Sequence, residues 1–171
     1  MKKLLLIALL FFFQNLKAQS PETLLKNAGI DLPTITAPVA NYVNVVRVGN
    51  LLFLSGKGPS AKDGSYITGK LGVNLTIEQG YEAAKLTAIN QLAVLKNELG
   101  DLSKIKRIVK VLGFVNSDPG FSNQPKVMNG FSDLIVLVLG DKGKHARSAI
   151  GTNTLPFNMA VEVEMIVEVD N

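Results

Sequence analysis

A chain of 171 residues, 47% of them hydrophobic, is long enough to bury one sizeable core and too apolar to be disordered. Its formal net charge of +4 falls to about +1 once Lys2, Lys3 and Lys17 are set aside, which leaves no basic excess of the kind a nucleic-acid binder turns against phosphates. There is no cysteine, so disulfides and a lipid-modified N-terminus are excluded, and a single histidine leaves a metal site of the usual kind short of ligands.

The first eighteen residues have the layout of a secretory signal peptide. Met1-Lys2-Lys3 is a basic cap, Leu4 to Phe13 is an unbroken apolar run, and cleavage falls near Ala18-Gln19. The apolar run is too short for a retained anchor, which needs ~20 residues. The expected product is exported, periplasmic or secreted, with no membrane attachment after processing. Residues 19–36 form an extension in which Ser20 caps a short helix with Pro21 in its first turn, ended by Gly29. The main domain is 37–171.

Within that domain, Tyr42 to Val48 and Leu51 to Ser55 read as a hairpin about Gly49-Asn50, followed by a polar stretch with a short edge strand near Tyr66-Ile67. Thr76-Ile77-Glu78-Gln79 is a capping box that opens a helix carrying Ala84, Ala88, Leu92, Leu95 and Leu99 on one face and stopping at Gly100. A strand follows over Ile105 to Val115. A second helix starts at Asn123-Gln124-Pro125, a polar turn covers Gly140 to Lys144, and two strands end the chain at Arg147–Thr152 and Ala160–Val169. About six strands and two long amphipathic helices predict an α+β layer with both helices on one sheet face. The strands are apolar enough on the other face to call for a partner subunit there.

Chemistry concentrates near the C-terminus, in His145-Ala146-Arg147-Ser148-Ala149, then Leu155-Pro156, then Val161-Glu162-Val163-Glu164. Arg147 at the head of an apolar strand offers a fixed fork suited to a carboxylate, against the plainer reading of a surface ion pair. Glu162, on what reads as the neighbouring strand, can face Arg147 and handle protons or water. Its plainer role is to pair with Arg147, and Glu164 shares its face and rivals it. His145 reads as a turn residue, because no nucleophile-elbow pattern accompanies it. Ser55-Gly56-Lys57-Gly58-Pro59 lacks the spacing of a phosphate-binding loop and reads as a strand exit that lets a ligand approach the backbone. Asn74-Leu75-Thr76 matches a glycosylation sequon, but Thr76 is accounted for as a helix cap.

The order Ala-Arg-Ser, Leu-Pro, apolar-Glu-apolar-Glu resembles the closing signature of the RidA (YjgF-like) imine deaminase family. Tyr42-Val43 ahead of Gly49-Asn50, the Ser55-Gly56 strand end, the Thr76 helix and Val115-Asn116 extend the resemblance over roughly Ala37 to Val169. It implies a chorismate-mutase-like α+β fold and a homotrimeric barrel with three ligand clefts between subunits. It also implies hydrolysis of 2-imino acids to 2-keto acids and ammonia without metal or organic cofactor. Arg147 then matches the arginine that clamps the substrate carboxylate and Glu162 the glutamate that orients the attacking water. Tyr42 matches a cleft-lining tyrosine and Ser55-Gly56 the pair at the cleft floor. Ala149 stands where many members have a cysteine. The family's second-helix asparagine aligns with Met128, with Asn129 one place later, and Lys57 and the His145-Ala146 lead-in also depart from the pattern, as in a divergent exported branch. Three functions compete: an imine hydrolase, a non-catalytic exported trimer that binds small 2-imino or 2-keto carboxylates, and an endoribonuclease or translation inhibitor, against which the small net charge counts.

Overall fold

The computed structural model describes residues 19–36 and 40–170, so the segment 1–18, expected to be a signal peptide, lies outside the described residues. Local sequence accounts for most elements. Pro21–Asn27 is a short helix, α1, with Ser20 Oγ accepting from the Thr23 amide and Leu25 driven into the core. Glu22 ties this extension down by accepting from Lys96 Nζ at 2.8 Å and from the Leu102 amide at 2.9 Å. Val45–Val48 (β1) and Leu51–Lys57 (β2) form the hairpin, although the first strand begins three residues later than the alternation suggests.

Helix α2, Ile77–Leu99, opens on the expected capping box: Thr76 Oγ1 accepts from the Gln79 amide at 3.2 Å while Gln79 Oε1 accepts from the Thr76 amide at 2.9 Å. It ends at Gly100, whose φ of +74° suits a residue without a Cβ. Strand β3 (Ile105–Asn116), helix α3 (Gln124–Leu139), strand β4 (Ala146–Thr152) and strand β5 (Val161–Val169) complete the chain.

The chain has an α+β, chorismate-mutase-like fold. Among the described residues its sheet has five strands in the order β1-β2-β5-β3-β4, not six. The expected edge strand near Tyr66 is reduced to isolated bridges, Ser60 with Tyr66 and Thr68 with Met159, because a turn-rich, polar segment forms no continuous ladder. All neighbours are antiparallel except β3 and β4, which are parallel and joined by the α3 crossover.

Strand alternation divides the sheet cleanly. Leu52 and Leu54, then Val111, Gly113 and Val115, then Val161, Val163, Met165 and Val167 face α2 and α3 and are buried. The helices meet them with Ala84, Ala88, Leu92, Leu95, Val127, Phe131 and Ile135, all buried. The opposite face carries Val46, Val48, Phe53, Leu112, Phe114, Ile150 and Ile166 with Glu162, Glu164 and Glu168, and no element among the described residues covers it. Val48 is 60% and Val46 52% exposed, a large apolar surface for a single chain.

Candidate functional site

Arg147 lies on β4, the sheet edge, in register with Val111 and therefore on the helix-covered face. Its guanidinium reaches over the first half of α3. Nη1 donates to Ser132 Oγ at 2.9 Å, and Nη2 donates to Asn129 Oδ1 at 3.1 Å and, more weakly, to the Pro125 carbonyl at 3.4 Å. Nε makes no hydrogen bond, and no carboxylate pairs with Arg147, among the described residues. A half-buried cation oriented by neutral oxygens and lacking a counter-ion is suited to an incoming anion.

The helix register explains Asn129. Met128 is fully buried, its side chain occupying the space that Gly113 leaves by having no Cβ. Asn129, one residue on, faces outward and meets Arg147. The asparagine displaced in sequence thus still contacts the arginine. Ala149 is in register with Gly113 on the same face, partly buried against the core, and it contributes no polar side chain.

Glu162 belongs to a different neighbourhood. It is in register with Phe114 on the uncovered face. Its carboxylate fills the space beside Gly56 on β2, where any Cβ would collide with Oε1 and with the rest of the carboxyl end. Burial, and secondarily repulsion from Glu164, push its pKa above the ordinary 4.5. Glu164 shares the face, in register with Leu112, as the alternation requires.

Ser55 serves the scaffold. Its hydroxyl donates to the Val43 carbonyl at 2.6 Å, its amide to the Asn44 carbonyl at 3.0 Å, and its own carbonyl accepts from Gln91 Nε2 at 3.0 Å. These bonds hold the segment that carries Tyr42, which is itself 55% exposed and touches neither Arg147 nor Glu162 by any hydrogen bond. Lys57, just beyond Gly56, donates to Asn44 Oδ1 at 2.6 Å, and burial lowers its pKa.

Arg147 and Glu162 therefore do not face each other on neighbouring strands. β3 lies between β4 and β5, and the two side chains emerge on opposite faces of the sheet. The reason is the link between β4 and β5. Residues 153–160 do not form a hairpin but pass over the end of β3, where the Ser117 amide bonds the Thr152 carbonyl and the Asn116 amide bonds the Ala160 carbonyl. One chain thus offers two separate clusters: Arg147 with Asn129 and Ser132 at the β4 edge, and Glu162 with Gly56 toward the β2 side. A cavity of about 600 Å³ lies apart from both, between Leu32–Thr36 and the Lys57–Tyr66 segment. It encloses neither Arg147 nor Glu162 and reflects how the extension packs.

Two participants escape a reading of the sequence. Ser132 sits mid-helix with no motif around it. Gln91 is a polar residue on the buried face of α2, and Nε2 donates to the Ser55 and Val163 carbonyls at 3.0 and 2.7 Å, clamping the β2 irregularity beside Glu162. Its position on an apolar helix face was the available signal. His145 is also more than a turn residue, since its ring is bonded at both nitrogens.

Comparison with known proteins agrees with this architecture. Residues 22–169 match the family described as "YjgF/chorismate_mutase-like, putative endoribonuclease". Protein TCP17 of Trypanosoma cruzi is 45% identical over 148 residues, 86% of this chain and 92% of that protein. A 2-iminobutanoate/2-iminopropanoate deaminase of Dermatophagoides farinae is 28% identical over 142 residues, 82% of this chain and 95% of that protein. The crystal structure of Atu1372, a protein of unknown function from Agrobacterium tumefaciens, superposes with a TM-score of 0.81 at 46% identity, covering 88% of this chain and 94% of that one. The alternating strands, the two-helix layer and the Arg147 and Glu162 strands thus fall within one known pattern, and the chain belongs to the YjgF/RidA-like family.

Proposed function

We propose that the protein is a cofactor-independent hydrolase of small 2-imino acids, acting after export through a site that two subunits complete. The observation that carries this reading is Arg147: a half-buried guanidinium aimed by Ser132 and Asn129, with no carboxylate partner among the described residues. The 28% identity with an imine deaminase supports the reaction class. In this reading the substrate carboxylate binds Arg147. Glu162 accepts a proton from water as the water oxygen adds to the imine carbon. The nitrogen takes up a proton, and the resulting carbinolamine collapses to a 2-keto acid and ammonia. The raised Glu162 pKa makes its carboxylate a stronger base toward that water.

Because the two clusters lie apart in one chain, the β4 edge of one copy would have to meet the Glu162 cluster of the next. The uncovered apolar face supports such an assembly, and a homotrimer is its expected form. A second reading, a binder of small carboxylates without turnover, rests on the same Arg147 and dispenses with Glu162. The endoribonuclease name attached to the family finds little support in a net charge of about +1 outside the leader.

The deciding assay generates imines in situ with an amino-acid oxidase and traps them with semicarbazide. The hydrolase should speed imine loss. Binding of 2-keto acids without any acceleration leaves the binder, and neither binding nor acceleration discards both.

A further inference from the structure

We propose that Ser132 and His145 are positioning residues for Arg147, a relay in which proton uptake by the imidazole and anion capture by the guanidinium favour one another. The proposal rests on the reading of Arg147 as the anion-holding residue.

The hydrogen-bond roles in the relay are determined by chemistry. His145 Nδ1 lies 2.6 Å from the Gly143 carbonyl, which can only accept, so Nδ1 carries a proton. In the neutral ring Nε2 is then an acceptor. It lies 3.0 Å from Ser132 Oγ, so the hydroxyl donates to it. The same oxygen is thereby left to accept from Arg147 Nη1 at 2.9 Å. The tautomer of His145 orients the serine hydroxyl, and the hydroxyl orients one arm of the guanidinium while Asn129 holds the other.

Protonation changes this arrangement at one atom. Nε2 becomes a donor, and two cations then share one hydroxyl oxygen. Burial and the charge of Arg147 both hold the His145 pKa below its ordinary 6.5, with the Gly143 carbonyl opposing them. The other charged groups nearby are committed elsewhere. Asp141 and Lys144, in the turn before His145, pair with each other at 2.7 Å. Asp133, beside Ser132 on α3, accepts from the Tyr81 hydroxyl at 2.9 Å. Lys110 on β3 points to the opposite sheet face and donates to Ser148 at 3.0 Å. Arg147 is thus the charge that acts on the ring, and a carboxylate bound to Arg147 would cancel that repulsion. Linkage is reciprocal, so a protonated His145 must in turn strengthen the hold on the carboxylate.

The single histidine makes the test direct, because its ring signals can be followed by NMR through a pH titration of the mature protein. Arg147→Gln should raise the His145 midpoint, and saturating pyruvate should do the same to the wild type, by about half a unit or more. Pyruvate affinity should rise roughly threefold as the pH falls through that midpoint. His145→Gln should bind with no such dependence. Ser132→Ala should weaken the coupling and Ser132→Thr should restore it, with far-UV circular dichroism confirming that each variant is folded. Pyruvate binding that leaves the midpoint unmoved overturns the relay while the anion reading of Arg147 survives. If pyruvate binds at no pH yet Arg147→Gln still raises the midpoint, the ring and the guanidinium are coupled and it is the anion reading that fails. An unmoved midpoint in Arg147→Gln overturns the relay outright.

Discussion

Arg147 and Glu162 differ in what holds them, and that difference sets what each variant should do. Arg147 meets only neutral oxygens, so truncating it leaves no orphaned buried carboxylate. Arg147→Ala should stay folded and lose both 2-keto acid binding and imine turnover; turnover at the wild-type rate would refute the site. Glu162→Gln keeps the shape beside Gly56 but cannot take a proton from water. It should bind 2-keto acids normally and lose ~100-fold or more in turnover.

The raised Glu162 pKa also has a definite sign. A base must be ionised to work, so the acid limb of the kcat/KM profile should sit above pH 4.5 and vanish in Glu162→Gln. For stability, the folded carboxyl holds its proton more tightly than the unfolded one. Its contribution is therefore full below pH 4.5 and is lost as pH rises through the folded value. Gly56→Ala is a sharper probe, because the added methyl collides with the Glu162 carboxylate and reaches no part of Arg147. Turnover should fall while carboxylate binding persists, measured by the trapping assay and by calorimetry.

Elements carry the stability. The Thr76 capping box satisfies two amide groups at the start of α2, and the far end of that helix buries Leu92 and Leu95 completely. Thr76→Ala should cost ~1 kcal/mol, whereas Leu92→Ala, which empties a closed core position, should cost about 2–5 kcal/mol. Urea unfolding of the two variants checks the order, and an unchanged stability in Thr76→Ala would mean that the helix start is held by something other than its cap. Strand β4 is the element on which the site depends most. As an edge strand paired, among the described residues, only with β3, it presents Arg147 at the rim of the sheet, where a neighbouring molecule can reach it.

At the scale of the whole molecule, the sheet is finished on one side only. Val46, Val48, Phe53, Ile150 and Ile166 lie on the face that no helix among the described residues covers, and single chains rarely leave such a patch in water. Sedimentation of the chain lacking residues 1–18 should give about three times the monomer mass. Phe53→Glu, which places a charge in the middle of that face opposite Ile166, should yield folded monomers that lose turnover although Arg147 and Glu162 are both intact. Full activity in a monomer would dismiss a site completed between copies.

The sequence alone determined whatever depends on short-range periodicity and local chemistry. The capping box at Thr76, the glycine stop at Gly100, the hairpin about Gly49-Asn50 and the two-fold alternation of β5 each follow from a few neighbouring residues, and together they reveal the α+β layer. The resemblance carried by Arg147, Leu155-Pro156 and Glu162 supplied the family. What only the tertiary structure decided was long-range placement. Adjacency in sequence suggested that the last two strands pair, but residues 153–160 cross the end of β3, and this puts Arg147 and Glu162 on opposite faces. A polar stretch that looked able to add a sixth strand makes only bridges. The Asn129 contact depends on Met128 filling the space above Gly113, and the Ser132–His145 relay joins a mid-helix serine to a turn histidine. Those pairings are set by how β4 docks beside α3, a matter of packing between distant segments that no local pattern encodes.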